Sequence, residues 1–203
     1  MLFALTGEVQ SGKTRWLVRL VERLAEAGVR CAGVVAPGVW RAADGEGSGG
    51  FEKLGIDNVL LPCGERIAFA RRADLARKEG RYDASSQAGR AGLGWAIDDG
   101  AIARVNAHFL ELAREAEGRA PRPGLLAVDE LGRLELVRGE GLAAAMGLLG
   151  RGPTEAFPHA LVVVRADLLP LAQERFRPVW GEPVSLAPDD AGAEAVLGAF
   201  RAR

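Results

Sequence analysis

The spacing of apolar positions changes along the chain in a way that separates strands from helices. Leu2 to Leu5 is a short apolar run. After Thr6-Gly7 the spacing becomes helical, with Leu17, Leu20, Val21 and Leu24 on one face and Arg19, Glu22, Arg23 and Glu26 opposite. Gly28 closes that helix, and Cys31 to Ala36 reads as a second buried strand stopped by Pro37-Gly38. A strand, a helix and a strand in this order predict a parallel crossover and hence an α/β fold. The polar, glycine-rich stretch from Arg41 to Gly50 predicts a surface loop. The short runs Phe51 to Leu54, Val59 to Leu61 and Ile67 to Ala70, with a turn at Cys63-Gly64-Glu65-Arg66, predict a small antiparallel appendage. Together they form an insertion over about residues 41–97 of one domain spanning 1–203.

Beyond the insertion the α/β pattern resumes. Asp98 or Asp99 caps a helix with the stripe Ile102, Val105, Phe109 and Leu112, and Pro121 to Gly124 separates it from the buried run Leu125 to Val128. A helix with Leu142, Met146 and Leu149 follows. The remaining elements are a strand from Ala160 to Val164, a helix near Leu168 to Phe176, a strand from Pro183 to Leu186 and a last helix from Asp189 or Asp190.

Composition narrows the function classes. At 203 residues, 48% hydrophobic and 26% charged, the chain is large enough for one continuous core, which argues against disorder and repeat arrays. Lys+Arg of 26 against Asp+Glu of 27 leaves a net charge of -1, so no global positive field exists for nucleic acid or an anionic membrane, and neither is expected as a partner. Cys31 and Cys63 are not in a CxxC pair, and only His108 and His159 stand beside them, so a zinc cluster is not expected and a reducing, cytoplasmic setting is. The first apolar run is too short for a signal peptide or a membrane span. A monomer is expected, with a protein partner possible through residues 41–70.

The chemistry enters at the end of the first strand. Gly7-Glu8-Val9-Gln10-Ser11-Gly12-Lys13-Thr14 fits GxxxxGK[ST] between a predicted strand and a predicted helix, and about 0.002 chance matches are expected in a chain of this composition. Glycines let such a loop turn its N–H groups inward, and the helix beginning near Lys13 points its positive end at the same place. The nucleotide-binding set is therefore Gly7, Glu8, Val9, Gln10, Ser11, Gly12, Lys13, Thr14 and Arg15. Lys13 reaches the β- and γ-phosphates, and the Thr14 hydroxyl ligates Mg²⁺.

Leu125 to Val128 delivers Asp129 and Glu130 to a strand end, where ligands of open α/β sheets collect. Asp129 is expected to hold Mg²⁺ through water. Glu130 faces the γ-phosphate and takes a proton from attacking water. Glu135 is expected to cap or salt-bridge the next segment rather than touch the nucleotide. His108 reads as a satisfied histidine, and Trp16, Trp40, Trp95 and Trp180 as packing residues.

With GEVQSGKT at 7–14 and DELGRLEL at 129–136, the chain resembles the THEP1-type nucleoside-triphosphatases, whose second motif has the form D-E-[IL]-G-x-[ML]-E. Gly33-Val34-Val35, Gly50-Phe51, Gly64-Glu65-Arg66 and Ala70-Arg71 look like that family's hairpin insertion, so the likeness runs from about residue 2 to 187. It implies a three-layer, RecA-like P-loop fold with a mostly parallel sheet in strand order 5-1-4-3-2. It also implies Mg²⁺-dependent hydrolysis of nucleoside triphosphates, ATP, GTP or others, with broad base tolerance. In that order the strand 160–164 lies between the two motif strands, which would bring Arg165 to the γ-phosphate as a catalytic residue beside Lys13 and Glu130; a surface pair with Asp167 is the alternative. Two other functions fit the same cradle. One is a small-molecule kinase with Arg175 and Arg177 in a lid, although the adjacent acidic pair argues against it. The other is a nucleotide-gated assembly factor with slow hydrolysis.

Overall fold

The computed structural model describes residues 1–8, 10–42, 50–118 and 122–201. In chain order the first half comprises β1 (Leu2–Leu5), α1 (Lys13–Glu26), β2 (Arg30–Val35), β3 (Gly38–Ala42), β4 (Phe51–Leu61), β5 (Arg66–Arg72), α2 (Ala73–Lys78), α3 (Gln87–Arg90) and β6 (Trp95–Ile97). The second half comprises α4 (Asp99–Glu117), β7 (Gly124–Leu131), a π-helical turn (Leu134–Arg138), α5 (Ala143–Leu149), β8 (His159–Val164), a 3-10 turn (Ala166–Leu168), α6 (Leu169–Trp180), β9 (Val184–Leu186) and α7 (Asp190–Arg201).

All the strands join one sheet in the order β6-β5-β4-β2-β7-β8-β1-β9, with β3 paired to β4. Its parallel part is β2, β7, β8, β1 and β9. Counted among themselves these five fall in the order 5-1-4-3-2, but the whole sheet is larger. The insertion is not a separate appendage: β4 pairs antiparallel with β2 through Gly33, Val34 and Val35, and β5 and β6 continue the sheet outward. Three apolar runs read separately from the sequence are thus two strands, the first of which is the eleven-residue β4. Pro37-Gly38 ends β2 but does not end strand structure, because the chain folds back as β3, an added strand that pairs with β4 alone. Arg41 and Ala42 therefore lie in a strand; residues 43–49 of the expected loop, like Val9 and Pro121, lie outside the described residues.

Period-two alternation on the strands divides the core into two layers. Phe3, Leu5, Leu125, Leu161 and Val163 pack with Leu17, Leu20 and Leu24 of α1 and Val196 and Leu197 of α7. Leu2, Ala4, Leu126, Val128, Ala160 and Val162 face the other way, onto Val105, Phe109 and Leu112 of α4, α5, and Phe176 of α6. Helices on both faces of the sheet make three layers, and burial of these aliphatic side chains contributes roughly 1.5–3 kcal/mol apiece. Helix α4 starts where the sequence placed it, with the Asp98 carboxylate accepting from the Ala101 N–H at 2.6 Å. Strands β2 and β7 approach so closely that a Cβ on Gly33, whose φ is +116°, would lie 2.0 Å from the Ala127 carbonyl oxygen. The His108 ring bonds that narrow region together, its Nε2 lying 3.2 Å from the Gly33 oxygen and 3.0 Å from that of Leu61. Trp16 and Trp180 are buried and donate to backbone carbonyls, whereas Trp40 stays 45% exposed on β3, against the packing role expected for it.

Candidate active site

Four chain segments converge at the carboxyl ends of the parallel strands, the place where open α/β sheets hold ligands. They are the loop after β1, Ala36 after β2, Asp129 and Glu130 at the end of β7, and Arg165 after β8. The loop is built for an anion. Gly12, in the left-handed region at φ +87°, precedes α1 without any side-chain cap, and no acidic residue lies in that helix's first turn. The first N–H groups of a fourteen-residue helix are therefore left to an incoming ligand, reinforced by the helix dipole. Gly7 and Gln10 also have positive φ, +147° and +62°.

Lys13 now lies over its own loop, donating to the carbonyls of Gly7 at 2.9 Å and Glu8 at 2.6 Å, with Ser11 Oγ at 3.4 Å. Burial lowers its pKa, while the carboxylates of Asp129, Glu130 and Glu8 act in the opposite sense. The expected cradle and the expected acidic pair thus share one electrostatic neighbourhood. Of the loop residues, Gly7, Glu8, Gln10, Ser11, Gly12, Lys13, Thr14 and Arg15 lie in or directly after the turn.

Asp129 is fully buried, and its Oδ2 accepts from the Ala36 N–H at 2.9 Å. Its other oxygen has no hydrogen-bond partner, an expensive state for a buried carboxylate. Burial first, and the charge of Glu130 second, raise the Asp129 pKa, while the Ala36 N–H and the Thr14 hydroxyl oppose the rise. A buried, unsatisfied carboxylate oxygen beside a threonine hydroxyl suits a hard divalent cation that takes oxygen ligands.

Glu130 is set differently from its neighbour by the backbone. The register of β7 on β8 slips between Val128 and Leu131, and Glu130 within that bulge has φ +60°. Such a left-handed non-glycine residue costs about 1–3 kcal/mol and is retained where its side chain must be re-aimed. Here it turns the Glu130 carboxylate out of the sheet, with 41% of the side chain exposed. Crowding by protein raises its pKa, against the cations Lys53, Lys13 and Arg165.

Arg165 makes the surface pair with Asp167 that the sequence offered as one alternative. Its guanidinium pairs with Asp167 at 3.0 Å and is 52% exposed, yet its field acts on Lys13 and on Glu130. Glu135 caps the segment after β7 and, among the described residues, makes no salt bridge: Oε2 accepts from the Gly132 N–H at 2.9 Å and Oε1 from the Leu142 N–H at 3.0 Å. Lys53, from the insertion strand β4, reaches 3.7 Å from Glu130 Oε1 and lies 5.2 Å from the ring centre of Trp95. The sequence reading had no place for it in the site. The one available signal was rarity, since Lys13, Lys53 and Lys78 are the only lysines in an arginine-rich chain.

The fold is thus a three-layer α/β sheet with a glycine loop at a helix terminus after β1 and two acidic residues at the carboxyl end of β7, which is separated from β1 by β8. Among solved structures, the chain is similar to the solution structure of a human cancer-related nucleoside triphosphatase, with a TM-score of 0.60 over 98% of this chain and 95% of that one. At 15% identity this likeness establishes the fold. No protein-family model and no curated protein matches the chain by sequence. Among the described residues no helix is long and apolar enough to cross a membrane.

Proposed function

We propose that the protein is a Mg²⁺-dependent nucleoside-triphosphatase that hydrolyses NTP to NDP and phosphate, with broad tolerance of the base. The observation that supports this most is the meeting, at the carboxyl end of the parallel strands, of an uncapped helix terminus with Lys13, a buried unsatisfied Asp129 oxygen and an outward-turned Glu130. The N–H groups after Gly12 bind the phosphates, and Lys13 leaves the loop carbonyls for the β- and γ-phosphate oxygens. Thr14 and Asp129 would hold Mg²⁺, which would supply Lewis-acid screening of the phosphates. Glu130 accepts a proton from water as its oxygen attacks the γ-phosphorus and the bond to the bridging oxygen breaks, leaving NDP. The adjacent acidic pair argues against the kinase alternative, because a water-activating Glu130 would waste the nucleotide that an acceptor needs. Phosphate release from protein, Mg²⁺ and NTP alone tests the reading; release only after an acceptor is added would overturn it.

Two variants divide the roles. Arg165→Ala is expected to slow turnover about ten- to hundred-fold while the nucleotide dissociation constant changes little, because a guanidinium bridging two phosphate oxygens matters most as charge develops. Arg165→Lys should resemble the alanine variant, since an ammonium offers a point charge in place of a planar fork. Unchanged turnover returns Arg165 to its pair with Asp167.

Asp129→Asn is expected to raise the Mg²⁺ requirement for hydrolysis and, in the nucleotide-free protein, to raise the melting temperature. With its folded pKa above the unfolded value, Asp129 favours the folded state fully only below the ordinary carboxylate range, and that contribution is lost as pH rises through the raised value. At neutral pH the asparagine removes the cost of an ionised buried group, about 1 kcal/mol or roughly 2–4 °C. Thermal scans at pH 7 and pH 4 check this, with the gain confined to pH 7.

A further inference from the structure

Among the described residues, Lys53 carries the insertion to the candidate active site, and its surroundings are those of a positioned cation. It is 19% exposed, its ammonium lies 3.7 Å from Glu130 Oε1, and the face of Trp95 lies 5.2 Å beneath it. Trp40 is its cross-strand partner on β3. A Cβ at Gly38 would stand 2.6 Å from Trp40 Nε1 and 2.9 Å from Lys53 Cε, so both side chains cross over bare backbone there. Two tryptophans and a glycine thus fix the arm of a lysine whose tip meets a carboxylate in the site. An ammonium has three N–H donors, and a single contact at 3.7 Å leaves it with donors to spare.

The charge arithmetic of the site calls for such a group. Asp129 and Glu130 together present two carboxylates to a ligand that is itself polyanionic. The Mg²⁺ side of the site, at Thr14 and Asp129, faces the first of these carboxylates; the second turns away from it at the bulge. Lys13 and Arg165 also act on Glu130, but among the described residues Lys53 is the cation that pairs with its carboxylate, at 3.7 Å, where it offsets repulsion between Glu130 and a terminal phosphate. Lys53 is already at Glu130.

We propose that Lys53 is a substrate-binding residue that reads the terminal phosphate of a nucleoside triphosphate, donating to that phosphate and to Glu130 together, so that the insertion distinguishes triphosphate from diphosphate. This rests on the nucleoside-triphosphatase reading of the same site. It gives the insertion a function in the chemistry: strand β4 brings a second lysine, in addition to Lys13, to the phosphate site at Glu130. A diphosphate, held by the glycine loop and Lys13, leaves Lys53 with Glu130 alone.

The test is titration calorimetry of the full chain with Mg²⁺ and either the β,γ-imido analogue of ATP or ADP, for the wild type, Lys53→Ala and Lys53→Arg. For the alanine variant, the imido-triphosphate is expected to bind roughly 10- to 100-fold more weakly, with ADP affinity within about two-fold of wild type. The arginine variant, which keeps the charge, should recover most of the triphosphate affinity. Melting temperatures show that the variants are folded. Equal weakening of both nucleotides in Lys53→Ala would make Lys53 structural and overturn the proposal, as would unchanged binding of both. If the wild type binds neither nucleotide, the nucleoside-triphosphatase reading itself fails and the proposal with it, an outcome separate from wild-type binding that Lys53→Ala leaves untouched.

Discussion

Lys13→Ala is expected to abolish turnover, by more than about 10³-fold, and to weaken nucleotide binding by roughly 10- to 100-fold, the loss of one charge-assisted contact. The two numbers differ for a reason visible in the nucleotide-free loop. Lys13 spends its hydrogen bonds on the Gly7 and Glu8 carbonyls at 2.9 and 2.6 Å, so binding a phosphate means exchanging good protein contacts for better ones. Affinity records only that difference. Turnover records the full interaction with charge that grows on the phosphoryl group as the bond to the leaving oxygen breaks. The backbone N–H groups that follow Gly12 survive in the variant and hold the ground-state phosphates. Phosphate release and calorimetric dissociation constants measured on one preparation check this, and a variant that retains full hydrolysis would remove the loop from the mechanism.

How far the sequence led depended on how tightly each feature is bound to local chemistry. The glycine loop was legible because positive φ at Gly7 and Gly12 and a lysine at the helix start are demands on residue type at fixed spacing. The parallel core was legible because its strands are buried on both faces and read as unbroken apolar runs, as at Leu125 to Val128. The insertion was not. Strand β3 is exposed over Val39 to Ala42, β6 is three residues long, and the helices α2 and α3 are only six and four, too short for a hydrophobic stripe to show. Nor does alternation tell a strand that it will pair with β2 and extend the main sheet, since that choice is made by register across distant segments. Lys53 was missed for the same reason: nothing local marks a lysine on β4 as a neighbour of Glu130 on β7, two strands away across β2. Arg165 lay between these cases, its position readable only through the implied strand order, and the structure gives it a partner in Asp167 as well as a field at the site.

Glu130→Gln is expected to lower turnover by roughly 10² to 10⁴ while Mg²⁺-dependent binding of the imido-triphosphate survives, because proton acceptance is what an amide cannot supply. The substitution is a clean one in this backbone. Glutamine has the same length and meets the same left-handed strain at φ +60°, so the bulge between Val128 and Leu131 and the aim of the side chain are preserved. Its carbonyl oxygen still faces Lys53. Losing one negative charge beside the terminal phosphate also removes a repulsion, so binding should hold or tighten slightly rather than weaken. Asp129→Asn, by contrast, acts on the buried oxygen beside Thr14 and should show its defect in the Mg²⁺ concentration needed for activity. Turnover measured across a Mg²⁺ titration separates the two: excess Mg²⁺ recovers activity in the Asp129 variant and none in the Glu130 variant. If both variants respond alike, the division between a metal-holding and a proton-accepting carboxylate is wrong, and the outward turn of Glu130 at the bulge needs another explanation.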